Sequence, residues 1–167
     1  QELSDREAAA RQALDDQAIV AGLAAEYQAT TGWEDDLVYT FQVQERLITG
    51  RPTLFKALVD DVFHRSGKTF VRFYDNSYSA LGSYFVFELE CSRPLVDMIL
   101  TRHSDEAGYT RFFEEYAVVA DIQEVSKPVL GLYASPFSEY DAEVVVGTSD
   151  MFIVKGTCID IAYIGAD

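Results

Sequence analysis

Apolar and polar positions change rhythm at Pro52: before it they recur every three or four residues, and after it they alternate in short runs divided by Gly, Asn, Ser and Pro. The first segment predicts a helix. Ser4 stands three residues before Glu7, the spacing of a capping box, and Leu3 can staple onto Ala8, so the helix is expected to start at Asp5. Ala, Gln, Leu and Glu dominate from there, and Leu14, Ala18, Ala21 and Ala25, with Ile19 and Leu23, form an apolar stripe. These side chains are mostly small, so the stripe should lie along another surface rather than make the core. Thr30, Thr31 and Gly32 end it. Residues 33 to 50 fit two patterns. Leu37, Tyr39, Phe41 and Val43 alternate as in a strand, yet Asp35 or Asp36 could cap a helix with Leu37, Phe41, Gln44 and Ile48 on one face. Gly50 followed by Pro52 favours the helix, because helices stop that way.

The remainder reads as strands. Residues 54 to 64 predict a long curved strand before a Ser66-Gly67 turn, although Leu54, Leu58 and Val62 with Phe55 and Val59 also fit a helical stripe. Residues 70 to 74 form the next strand, ended by Asp75, Asn76 and Ser77. In residues 84 to 91, Phe85, Phe87, Leu89 and Cys91 fall on one side and Tyr84, Val86, Glu88 and Glu90 on the other. Pro94 opens a short helix to Leu100 with Leu95, Met98 and Ile99 on one face, and the acidic stretch 105 to 115 could form another. Strands follow at 116 to 125, closed by Pro128, and at 151 to 164, where Gly156 marks a bulge. Between them, 129 to 150 is a loop in which 143 to 146 could pair as a hairpin arm. The class is α+β, mainly β, with residues 1–50 a helical extension and 51–167 a β domain.

Composition narrows the functional classes. At 167 residues, 49% apolar, with 11 Phe and 10 Tyr, the chain can bury a core of its own. Its formal charge of −15 repels a phosphate backbone, which argues against ordinary nucleic-acid binding. No run approaches the roughly 20 apolar residues of a membrane span, and no basic segment leads into an apolar one as in an export signal, so the chain reads as soluble. Gln1 at the start fits removal of an export signal, which would place the chain outside the cytoplasm, and fits equally a shortened chain. Cys91, Cys158, His64 and His103 do not make a zinc spacing, and no cofactor motif occurs.

The acidic doublets at 15–16, 35–36, 60–61, 105–106 and 114–115 read as solvated faces, since adjacent side chains diverge on either kind of element. Glu88 and Glu90 differ, because residues two apart on a strand face the same way and could serve as acid and base. No nucleophile elbow, metalloprotease helix, P-loop or calcium loop accompanies them.

Three stretches carry a resemblance: Phe70-Val71-Arg72-Phe73-Tyr74 after the Gly67 turn, Tyr116-Ala117-Val118-Val119-Ala120-Asp121-Ile122 before Lys127-Pro128, and Val154-Lys155-Gly156-Thr157-Cys158 leading into Ile159-Asp160-Ile161. With a short helix between the third and fourth strands, residues 53 to 164 resemble the OB-fold superfamily, in particular small bacterial domains of uncharacterised role akin to anticodon-binding barrels. The resemblance implies a five-stranded Greek-key barrel whose third and fifth strands are neighbours. Cys91 and Cys158 would then lie on adjacent strands, either as a disulfide or as two buried thiols filling space. It also implies a binding face on which Arg72, Tyr74, Tyr84 and Glu88 project away from Phe73, Phe85 and Phe87. The expected role is a non-enzymatic module for a protein or small-molecule ligand. The alternatives are a hydrolase using Glu88 and Glu90, or an acidic mimic of nucleic acid.

Overall fold

The alternating runs after Pro52 become five strands: β1 (Thr53–Arg65), β2 (Lys68–Tyr74), β3 (Tyr84–Glu90), β4 (Glu115–Ser126) and β5 (Met151–Tyr163). Three helices accompany them, α1 (Glu2–Tyr27), α2 (Gln42–Leu47) and α3 (Arg93–His103). These elements come from a computed structural model, which describes residues 1–33, 42–74, 84–103, 115–126 and 151–164. The expected terminator at 75–77, the second acidic helix over 105–114, the stop at Pro128 and the 129–150 loop with its hairpin arm lie outside those residues, as does 34–41 of the expected second helix.

The strands close into a barrel in the order β1-β2-β3-β5-β4, with β1 pairing β4 to complete the ring. All neighbours are antiparallel except β3 and β5, which run parallel. Residues 54 to 64 therefore take the extended reading. Ser66 and Gly67 both have positive φ (53° and 77°), the conformation of the two-residue hairpin turn that matches strand twist, and they join Arg65 to Lys68 directly. The closed order and the parallel pair are compatible with an OB-like fold.

Alternation along each strand sends one row of side chains inward. Phe55, Ala57, Val59, Val71, Phe73, Phe85, Phe87, Leu89, Tyr116, Val118, Phe152 and Val154 fill the interior. Phe55 stacks on Phe87 at 3.9 Å between centroids, and Trp33 meets Phe85 edge-on at 4.9 Å. Each aromatic fully withdrawn from water contributes about 1.5–3 kcal/mol. Two register shifts between β4 and β5 leave Gln123 and Ile159 as extra residues, and the one at Ile159 lets Ile161 face inward although Cys158, three residues earlier, already does. Gly156 is not itself the extra residue expected there. It sits where β5 passes so close to β4 that a Cβ would clash with the Asp121 carbonyl oxygen.

Each of the three helices differs from the local pattern. α1 begins at Glu2 with Gln1 as its cap and no side-chain capping bond, so Ser4 and Glu7 lie inside the helix. Asp5 N–H already reaches the Gln1 carbonyl at 2.9 Å, which extends the helix past the expected box. Its contact face is also displaced: Val20, Leu23, Ala24 and Tyr27 pack on Leu54, Ala117, Val119 and Ile164 outside the barrel, while Leu14 is 66% exposed. In α2, Val43 and Leu47 enter the core and Ile48 stays outside. In α3, Val96 and Ile99 are buried with Leu95 packed beside them, whereas Met98 is exposed. In each case the barrel selects the face, because a short helix carries several apolar stripes of similar quality.

After α1, Gln28 turns left-handed (φ 50°, ψ 44°), and Ala29 N–H bonds to the Ala24 carbonyl at 3.0 Å. Thr30 then docks beside Thr53, donating its N–H to the Pro52 carbonyl (2.8 Å) and accepting from Leu54 N–H (2.9 Å). The helical region is thereby stitched to the first strand. Trp33, Val43 and Leu47 belong to the same core as the barrel interior. No helix among the described residues is long and apolar enough to cross a membrane.

Candidate functional site

The outer face of β1, β2, β3 and β5 brings charge into one row. Register places Asp61 beside Arg72, Arg72 beside Glu88 and Glu88 beside Lys155, so signs alternate across four strands. A register shift between Val59 and Asp61 makes Asp60 the extra residue of a bulge and aims it at the same row. Arg72 Nη2 donates to Glu88 Oε1 at 3.3 Å, and its Nη1 lies 3.6 Å from Asp60 Oδ2. Arg65 Nη1 approaches the other Glu88 oxygen at 3.8 Å. The Glu88 side chain is only 4% exposed, so this carboxylate is withdrawn from water and held between two guanidiniums.

Aromatic rings frame the row. Phe63 and Phe70 stack at 5.5 Å, with the Arg72 guanidinium 4.9 Å above Phe63 and that of Arg65 5.2 Å from the same ring. Tyr74, the next outward residue of β2, is 3% exposed. Burial, and then the charge of Asp60, push its phenol up. Burial likewise raises the Asp60 carboxyl, with Arg72 pulling against it and Asp61 adding to it. The 60–61 doublet is thus half-buried and engaged, unlike a solvated face.

Of the four residues expected on the binding face, Arg72 and Glu88 are in direct contact and Tyr74 lies on the same face beyond them. Tyr84 opens β3 opposite Met151, and its side chain falls outside the described residues. Glu90 is set apart from this cluster, paired with Lys68 at 3.6 Å. His64 accepts or donates a bond with Thr69 Oγ1 at 3.0 Å. Among the described residues no three His, Cys, Asp or Glu side chains are grouped to hold a metal.

A second feature was not legible locally. Between α1 and the outside of β1 and β4 lies a groove of about 410 Å³, with Val20, Ala21, Ala24 and Ile164 as its apolar lining and Asp16, Gln17, Thr31, Lys56 and Glu115 as its polar one. It exists because the small residues of α1 hold the helix over the barrel without filling the space between. The alanines signal a close-packed helix, but only the docking of α1 places them opposite Lys56. Across the barrel wall, Cys91, just past the end of β3, and Cys158 on β5 are free thiols, both buried.

Compared with protein families, curated proteins and solved structures, the chain has no match in any of the three.

Proposed function

We propose that the chain is a non-enzymatic binding module of the OB-fold type, and that it takes a small ligand with an apolar body and a carboxylate in the groove between α1 and the barrel. One observation supports this reading above others. The groove has the volume of an ordinary small-molecule site, an apolar wall, and at its edge the Lys56 ammonium, which has no ion-pair partner among the described residues. An apolar body would lie along Val20, Ala21 and Ala24, and its carboxylate would meet Lys56, with Asp16 and Glu115 selecting against a second negative group nearby. In this reading Arg72 and Glu88 act on each other, tying β2 to β3, rather than on ligand. The OB-fold assignment rests on the closed order, the parallel β3–β5 pair and the helix between β3 and β4.

Octanoate and the uncharged octanol, titrated against the protein by calorimetry, test the proposal. Octanoate should bind at least tenfold more tightly than octanol, and Lys56→Gln should remove that difference while leaving the circular dichroism spectrum unchanged. Ala21→Trp, which fills the groove, should abolish binding of both. Equal affinities for the two probes, or binding untouched by Ala21→Trp, would overturn it.

A further inference from the structure

We infer that Cys91 and Cys158 are a redox pair whose oxidation forms an intramolecular disulfide, clasping the end of β3 to the middle of β5. The inference is independent of the groove. It starts from register: β3 and β5 run parallel, and their last pairs are Glu88 with Lys155, Leu89 with Gly156, and Glu90 with Thr157. One residue further on, Cys91 comes beside Cys158. Strands in a sheet lie about 4.8 Å apart, within the ~4.4–6.8 Å between Cα atoms that a disulfide spans.

Direction agrees with distance. Both cysteines belong to the barrel's interior cluster and each is 5% exposed, so both side chains leave their strands on the same side. Cys158 faces inward by plain alternation with Phe152 and Val154, and the extra residue at Ile159 comes after it, so that Ile161 faces inward as well. Interaction with the Cys91 thiol, followed by burial, pushes the Cys158 thiol up. Their other contacts are to carbonyls of their own strands, Cys91 Sγ to Leu89 O at 3.5 Å and Cys158 Sγ to Asp160 O at 3.7 Å.

The chemistry needs an oxidant, and a low-molecular-weight disulfide such as oxidised glutathione suffices. Cys91 lies just past β3, where the chain turns into α3, while Cys158 is enclosed within β5. Cys91 is therefore the thiol that local opening exposes first. Its thiolate attacks the disulfide, forming a mixed disulfide and releasing one glutathione thiolate, which takes up the Cys158 proton. The Cys158 sulfur then attacks Cys91 Sγ, breaking the mixed disulfide and releasing the second glutathione. Two protein thiols are oxidised by two electrons and one disulfide molecule is reduced.

A bridge here closes a loop of more than 60 residues holding α3 and β4, which the entropic account makes strongly stabilising. The test refolds the full chain from denaturant in reduced and oxidised glutathione, quenches with acid, alkylates under denaturing conditions and measures intact mass. The expected product is monomeric, 2 Da lighter than the dithiol and unalkylated, and it yields a proteolytic peptide joining Cys91 to Cys158. Its Tm should exceed that of the dithiothreitol-treated protein by on the order of 10 °C. Cys91→Ala and Cys158→Ala should each remove this redox-dependent difference. Two alkylated thiols, a persistent glutathione adduct, disulfide-linked dimers, or an oxidised form no more stable than the reduced one would each overturn the inference.

Discussion

Gly156 is bounded on both sides of its strand, by Leu89 of β3 and Ile122 of β4. No side chain can be accommodated there without the strands shifting, because the first carbon would fall well inside van der Waals contact of the Asp121 carbonyl oxygen. Gly22, on the exposed side of α1, has nothing within 4 Å. One substitution at two glycines should thus have opposite effects. Gly156→Ala is expected to lower stability by about 3 kcal/mol, the upper end for overpacking, while Gly22→Ala raises it by about 0.5–1 kcal/mol through helix propensity. Urea denaturation midpoints of the two variants would show the contrast, and equal shifts would contradict this account. A glycine in a β pattern marked 156 as special from sequence, but both a bulge and a close approach fit that mark. The extra residues fall at Gln123 and Ile159, which nothing in their own chemistry announces. The pairing of Arg72 with Glu88 was hidden for a similar reason. Alternation put both on outward faces, but which acidic residue stands opposite Arg72 depends on strand register.

At the scale of elements, α1 is held at its C-terminal end. Tyr27 Oη donates to Asp160 Oδ2 at 2.7 Å, joining the last turn of the helix to β5. That hydrogen bond, ahead of partial burial and the Asp160 charge, pushes the Tyr27 phenol up from 10 to about 12. A group whose folded pKa lies above its unfolded value stabilises the fold fully below the unfolded pKa and loses that effect as pH rises through the folded one. Tyr27→Phe should therefore have a lower denaturation midpoint than the wild type at pH 8, and the gap should narrow between pH 10 and 12. A gap constant across that interval would show that the phenolic proton does not anchor the helix. The sequence identified α1 as a helix through composition and the absence of proline, and of the residues that pack on the barrel its stripe included only Leu23. Ala-rich stripes of nearly equal polarity surround this helix, so the partner surface of Leu54, Ala117, Val119 and Ile164 makes the choice.

For the molecule as a whole, a charge of −15 is distributed over a chain of 167 residues. That figure already counts the cations, those paired at Arg72, Arg65 and Lys68 included, so the ion pairs leave the net charge unchanged. Net self-repulsion opposes the compact state, and raising ionic strength from about 0.01 to 0.1 M shortens its reach from about 30 to 10 Å. Sodium chloride over that range is expected to raise Tm by a few degrees. A fall would mean that specific ion pairs outweigh the overall repulsion. What the amino-acid order determined by itself was the class and succession of elements: hydrophobic period, the Ser66-Gly67 turn and the clean alternation of 84 to 90 are local signals, written within a few residues of where they act. Closure of β1 on β4, the bulge that turns Asp60 toward Arg72, the β3–β5 register that sets Cys158 beside Cys91, and the groove beneath α1 were decided only by tertiary structure. They depend on the register between segments far apart in the chain, which a strand's own pattern leaves open until its neighbours are in place.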